Sequence, residues 1–170
     1  APFVTYRSPN FVGTLKIVRY NEGSQTEEYV LWVLTDDTTG EVFVFYDFDT
    51  AFHDGETRSG YLREHTTIQR WASNREGFMY EYEEHNNDFR LSAIVAPTLS
   101  GGTPYEICFT PDSGNLLGKV EVWDGPCGTP STLLMDAEYT YDNGTLRQVK
   151  TRVLNSDGTY EESYTQYRKY

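Results

Sequence analysis

Apolar and aromatic residues alternate with polar ones in short runs along this chain, and turn-forming residues separate the runs at close intervals. The clearest runs cover residues 11–20, 27–34, 41–49, 61–71, 78–84, 89–96, 105–110, 117–123, 132–141, 145–154 and 159–168. Val, Ile, Thr, Tyr and Phe are frequent in them, and branched or aromatic side chains favour the pleated, half-buried surface of a strand. Between the runs stand Asn21-Glu22-Gly23, Asp36-Asp37-Thr38-Thr39-Gly40, Asp54-Gly55, Glu76-Gly77, Asn86-Asn87-Asp88, Asp112-Ser113-Gly114-Asn115, Asn143-Gly144 and Asp157-Gly158. Asn-Gly and Asp-Gly readily adopt the positive φ angles of tight antiparallel turns. The pattern predicts an all-β chain: an antiparallel up-and-down sheet of about ten to eleven strands, closed into a β-barrel or strongly curved as a half-barrel.

Residues 51–59 are the one stretch open to a helical reading, but Gly55 and the missing 3.6-residue apolar period make it a loop. Residues 97–104, centred on Ser100-Gly101-Gly102, form a linker too short to separate domains, and no internal repeat is visible. Residues 1–170 are therefore expected to form a single domain, a length that buries roughly 70% of the surface of the unfolded chain.

Two runs differ from the rest. Tyr29-Val30-Leu31-Trp32-Val33-Leu34 and Val42-Phe43-Val44-Phe45-Tyr46 are apolar on both faces, which predicts central strands covered on both sides. Residues 61–71, read as one strand, put Tyr61, Arg63, His65, Thr67, Gln69 and Trp71 on one face and Leu62, Glu64, Thr66, Ile68 and Arg70 on the other. Such mixed faces suit either a solvated sheet surface or a small-molecule pocket that orients its ligand.

Aromatic residues make up 15% of the chain, more than packing alone calls for. Trp32, Tyr46, Trp71, Tyr80, Trp123 and Tyr139 are the candidates for lining an aromatic pocket, though the same side chains would also fill a core. The net charge of −12 repels phosphate backbones and anionic lipid surfaces, which argues against nucleic acid and otherwise serves solubility. No run reaches the roughly 18 apolar residues of a membrane-spanning helix, so membrane insertion is not expected. A first residue of Ala rather than Met is what a processed, secreted chain would show. Asn143-Gly144-Thr145 is a glycosylation sequon in a turn. Cys108 and Cys127, the only cysteines, suit one disulfide in an oxidising compartment or two buried thiols; their spacing is neither that of a redox Cys-x-x-Cys pair nor that of a zinc site.

His53, His65 and His85 are too widely spaced for a compact metal site, so no metal is expected, and their acidic surroundings suit surface residues. Neighbouring residues on a strand face opposite ways, so Glu64 and His65 do not make a catalytic pair. Gly-x-Ser-x-Gly elbows, phosphate-binding glycine loops and dinucleotide fingerprints are absent, and no cofactor is expected. If the chain is an enzyme, it is a lyase, isomerase or cyclase whose acid or base comes from Arg63, His65, Glu81 or Arg147.

Tyr6-Arg7-Ser8-Pro9-Asn10-Phe11-Val12-Gly13 resembles the Ser-Pro entry of ependymins, and Val44-Phe45-Tyr46-Asp47 resembles the strand that follows it. Gly118-Lys119-Val120-Glu121-Val122-Trp123, Ser131-Thr132-Leu133-Leu134-Met135-Asp136 and Gly144-Thr145-Leu146-Arg147-Gln148-Val149 look like closing strands of the half-barrel that ependymins share with bacterial lipoprotein carriers. These segments cover under a third of the chain, and the several cysteines of ependymins are reduced here to two. The competing resemblance is to the lipocalin or calycin barrel, where Phe11-Val12-Gly13-Thr14-Leu15 stands near the Gly-x-Trp position without its Trp. Either resemblance implies a scaffold around a hydrophobic small molecule and transfers no catalytic residue. The expected function is binding or transport of a hydrophobic or aromatic molecule, a lipid or pigment; a cofactor-independent lyase and a sugar-binding or protein-interaction module are the alternatives.

Overall fold

The computed structural model describes residues 3–8, 11–21, 28–46, 60–72, 77–85, 88–98, 102–128 and 130–168. The segment 51–59 with His53 lies outside the described residues, as do most of the turn signals at 21–23, 54–55 and 86–88. So do the side chains of Trp71 and His85.

The chain is all-β. Its strands are β1 (Phe3–Ser8), β2 (Phe11–Asn21), β3 (Glu28–Asp36), β4 (Glu41–Tyr46), β5 (Leu62–Thr67), β6 (Phe78–His85), β7 (Asp88–Val95), β8 (Glu106–Pro111), β9 (Leu117–Trp123), β10 (Leu133–Asp142), β11 (Thr145–Leu154) and β12 (Tyr160–Gln166), with one short helix, α1 (Ile68–Ala72), after β5. They pair in chain order, an antiparallel meander of twelve strands from β1 to β12. Each run of alternating residues corresponds to a strand, and β1 is added ahead of them. No described helix is long and apolar enough to cross a membrane.

The hairpins form for the reasons their sequences suggest. Asp142 pairs with Thr145 across Asn143 and Gly144, which take φ of 48° and 73°, the two positive angles of a type I′ turn. At Asp36–Gly40 the Asp36 carboxylate accepts the Thr38 N–H at 2.8 Å, while Gly40, at φ 74°, donates its N–H to the Asp36 carbonyl at 2.8 Å. Asp112 and Asp157 cap their turns in the same way.

The 61–71 run is shorter as a strand than its alternation suggests. β5 stops at Thr67, whose hydroxyl accepts the Arg70 N–H at 3.4 Å and so caps α1. Trp71 therefore sits on a single helical turn rather than on a strand face. Arg63 is an extra residue in a bulge, because Phe45 pairs with Leu62 while Val44 pairs with Glu64.

The chain divides into two compact units with the boundary at Arg90/Leu91, inside β7. In the first unit, Val33 pairs with Val44 and Val44 with Glu64, while Thr35 pairs with Val42 and Val42 with Thr66. One face of β3–β5 therefore carries Leu31, Val33, Val42, Val44, Glu64 and Thr66, all buried, and its four aliphatic residues form the core cluster. In the second unit, Ala93 pairs with Cys108, Cys108 with Glu121, Glu121 with Asp136, and Asp136 with Arg152. That row sets one buried carboxylate, Asp136, between Glu121 and Arg152, with the buried Ala93 and Cys108 at its other end.

Candidate functional site

Among the described residues, those buried on this face of the first unit are aliphatic on β3 and β4 and polar at two positions on β5. Glu64 is 8% exposed and Thr66 5%. β5 brings them there by alternation: its residues two apart face Val44 and Val42, whose own side chains are almost wholly withdrawn from water. Oε1 of Glu64 accepts the backbone N–H of Gly77 at 2.7 Å, and no other partner of this carboxylate is found among the described residues. The Thr66 hydroxyl is buried with no hydrogen-bond partner at all. A buried hydroxyl left unpaired costs about 1–3 kcal/mol, and a buried carboxylate with a single donor is also under-served. This pair of polar groups on an aliphatic wall is the most unusual chemistry in the unit.

Gly77 allows the arrangement. A Cβ at this position would lie 2.3 Å from the His65 carbonyl oxygen and 2.4 Å from the Thr66 Cβ, so only glycine lets the chain approach β5 closely enough to reach Glu64. Four tyrosines, Tyr46, Tyr61, Tyr80 and Tyr82, gather around β4–β6. Tyr46 pairs with Leu31 and its N–H donates to the Tyr61 carbonyl at 2.9 Å. Tyr61 meets the Tyr82 ring edge-on with centroids 4.9 Å apart, and the Tyr82 hydroxyl donates to the Leu62 carbonyl at 2.8 Å. Burial, reinforced by the nearby phenols of Tyr46, Tyr80 and Tyr61, pushes the Tyr82 hydroxyl up to about 12.

The sequence candidates fall on both faces of this unit. Tyr46 lies on the Leu31 face, whereas Trp32 pairs with Phe45 and faces the opposite way. Tyr80 joins the tyrosine group through Tyr82. His65 also faces away from Glu64: it stacks on Phe43 with centroids 4.6 Å apart and planes within 2°, and its Nε2 stands 3.4 Å from Glu41. It is half-buried rather than a solvated surface residue. Arg63 occupies the β5 bulge and Glu81 is exposed on β6.

The remaining candidates lie in the second unit. Trp123, whose indole N–H is buried without a partner, stands on the Lys119 and Glu121 side of β9, and Tyr139 stands on the opposite face with Ala137. Arg147 is bound to Asp142 across the β10–β11 turn, at 3.2 Å from Nε and 2.8 Å from Nη2. Asn143 is exposed at the tip of that turn. Cys108 and Cys127 form a disulfide, with Cα atoms 6.4 Å apart, and the Cys127 N–H donates to Glu106 at 3.0 Å. Glu106, Cys108 and Cys127 also lie together as a group of metal-ligand type, but the bridge occupies both sulfurs.

Sequence reasoning missed a charged network centred on Asp136. Arg152 holds its carboxylate in a fork, with Nε 2.9 Å from Oδ1 and Nη2 on Oδ2, while Lys119 approaches Asp136 at 3.5 Å and Glu121 at 2.7 Å. The Arg152 hydrogen bonds hold the Asp136 carboxyl below the usual carboxylate range, against the opposing effect of burial. Burial works against the charge on Lys119, but Glu121 and Asp136 outweigh it and raise its ammonium above the ordinary value. Every member of this network has a partner of opposite charge, which marks it as a structural lattice across β9–β11. Thr66 in the first unit and Trp123 in the second each keep a buried polar group with no hydrogen bond. Compared with protein-family models, curated proteins and solved structures, the chain matches none.

Proposed function

We propose that the first unit binds an apolar small molecule, lipid-like or pigment-like, against the buried face of β3–β5, and that the chain acts as a carrier or sequestering protein in an oxidising, extracellular setting. One observation carries this reading: among the described residues, those buried on this face are the aliphatic Leu31, Val33, Val42 and Val44 together with Glu64 and Thr66, and the Thr66 hydroxyl has no partner. Small-molecule sites are built this way, largely apolar with a few polar atoms that fix orientation. Tyr46, cross-strand from Leu31, adds an amphipathic side chain at the edge of this face. The disulfide is compatible with the extracellular setting.

N-phenyl-1-naphthylamine, a neutral apolar probe, tests the proposal. Its fluorescence rises saturably on titration with the protein. Val44→Thr keeps the side-chain volume but adds a hydroxyl to the wall, and it weakens binding by about three- to tenfold. A response that never saturates, or one that Val44→Thr leaves unchanged, overturns the proposal.

A further inference from the structure

We infer that β12 is a self-association edge, through which two copies of the chain pair antiparallel in a register centred on Ser163. β12 is the last strand in the sheet order and pairs with β11 and with no other described strand. All seven of its residues are exposed, Tyr160 at 40% and Tyr164 at 57%. An open edge presents a row of unpaired N–H and C=O groups to any incoming strand, and proteins block such edges with proline, bulges or charge. β12 has no proline and pairs with β11 without a shift in register. Its two charges are Glu161 and Glu162, and Lys150 holds Glu162 at 2.8 Å.

Two hydrogen bonds fix which backbone groups face outward. Before the strand the Thr159 carbonyl accepts the Asn155 N–H at 2.7 Å, and after it the Tyr167 N–H donates to the Arg147 carbonyl at 2.8 Å. Backbone groups alternate in direction along an antiparallel strand, so Glu161, Ser163 and Thr165 also turn theirs to β11, while Tyr160, Glu162, Tyr164 and Gln166 turn theirs to the open side. A second copy centred on Ser163 sets Tyr160 opposite the partner's Gln166 and Glu162 opposite the partner's Tyr164. Both are pairs of outward-turned residues, so the ladder closes along the whole strand. The same register keeps the charges apart: Glu161 meets the partner's Thr165, and no glutamate lies opposite another. Sliding the partner by two residues one way sets Glu162 against its own counterpart, and two the other way leaves Tyr160 and Glu161 outside the ladder. The strand is thus complementary to itself, which is the requirement of a two-fold dimer and favours a second copy over a foreign strand.

Sedimentation equilibrium of the full chain at high salt, where the charge of −12 on each copy is screened, tests the inference. The wild type approaches twice the monomer mass as its concentration rises. Tyr164→Pro removes an N–H that points away from β11, a change an edge strand tolerates, and it weakens self-association about tenfold or more with the circular dichroism unchanged. Ser163→Cys checks the register and leaves the outward backbone groups in place. Residues paired without mutual hydrogen bonds stand about 4.5 Å apart at Cα, within disulfide reach, so mild air oxidation yields a cross-linked dimer. Thr165→Cys, offset from its counterpart by about 14 Å along the seam, does not cross-link. A monomer mass at every concentration overturns the inference. So does a dimer that survives in folded Tyr164→Pro, or one that cross-links as readily through Thr165→Cys as through Ser163→Cys, because the copies then meet through another surface or register. Should Tyr164→Pro fail to fold, the two cysteine variants decide the matter.

Discussion

Tyr82 shows how one side chain reports on its surroundings. Its ring meets Tyr61, its hydroxyl is held by the Leu62 carbonyl, and burial raises its ionisation to about 12 against an ordinary value of about 10. The native state thus favours the neutral phenol. Its contribution to stability is fully present below about pH 10 and is lost as pH rises through about 12. An ultraviolet titration of tyrosinate should show a late component that disappears in Tyr82→Phe, with the rest of the curve unmoved; loss of the hydrogen bond should cost about 0.5–1.5 kcal/mol. If the wild-type and Tyr82→Phe curves differ only by an ordinary tyrosine, the phenol is not buried as described. At the same scale Gly77 reads in the sequence as a turn residue, yet its role is to let the backbone approach His65 and Thr66, a constraint between distant residues that local composition does not carry.

At the scale of strands and turns, much was legible, because period-two alternation and Asn-Gly or Asp-Gly pairs act locally. The end of β5 was not: alternation continues in the letters through Trp71, but the Thr67 hydroxyl captures the Arg70 N–H and starts α1. The site residues were half legible for a related reason. The mixed composition of residues 61–71 singled out that strand, but which of its faces is buried depends on β4, and the pairing of Val44 with Glu64 turns Glu64 inward and His65 outward. The Asp136 network had a usable signal in the charges spaced two apart at Lys119 and Glu121, Asp136 and Glu138, and Lys150 and Arg152, since an acidic pair on one strand beside basic residues on its neighbours suits a cross-strand lattice. The segment between β9 and β10 poses a separate question of what holds it, and the Cys108–Cys127 bridge ties it to β8 across a sequence separation of 19. A loop of that size corresponds to about 3 kcal/mol in chain entropy. Urea denaturation of Cys108→Ala/Cys127→Ala should therefore show a loss of about 2–4 kcal/mol. An unchanged midpoint would mean that the bridge constrains nothing the fold does not already fix.

For the whole molecule, acid is the condition that tests the electrostatic design. The chain carries −12 near neutrality and loses its net charge around its pI of about 4.6, so colloidal repulsion vanishes in the range where its carboxylates begin to protonate. Exposed pairs such as Lys150 with Glu162 lower the Glu162 carboxyl but are open to water and weak. Asp136 differs, being 1% exposed and forked by Arg152. Its carboxyl is depressed in the native state relative to an ordinary value of about 3.9, so the unfolded chain takes up the proton first as pH falls. The stability that Asp136 contributes is therefore present above about pH 4 and is lost as pH drops through its lower native value. Unfolding free energies from urea titrations at stepped pH should fall steeply for the wild type below about pH 4 and more gently for Asp136→Asn, which has no carboxyl there to protonate. At neutral pH the same variant should be less stable by about 2–4 kcal/mol, because Arg152 and Lys119 keep their charges beside an amide that cannot balance them. Parallel acid limbs for the two proteins would assign the acid sensitivity to the general carboxylate load rather than to this one buried group.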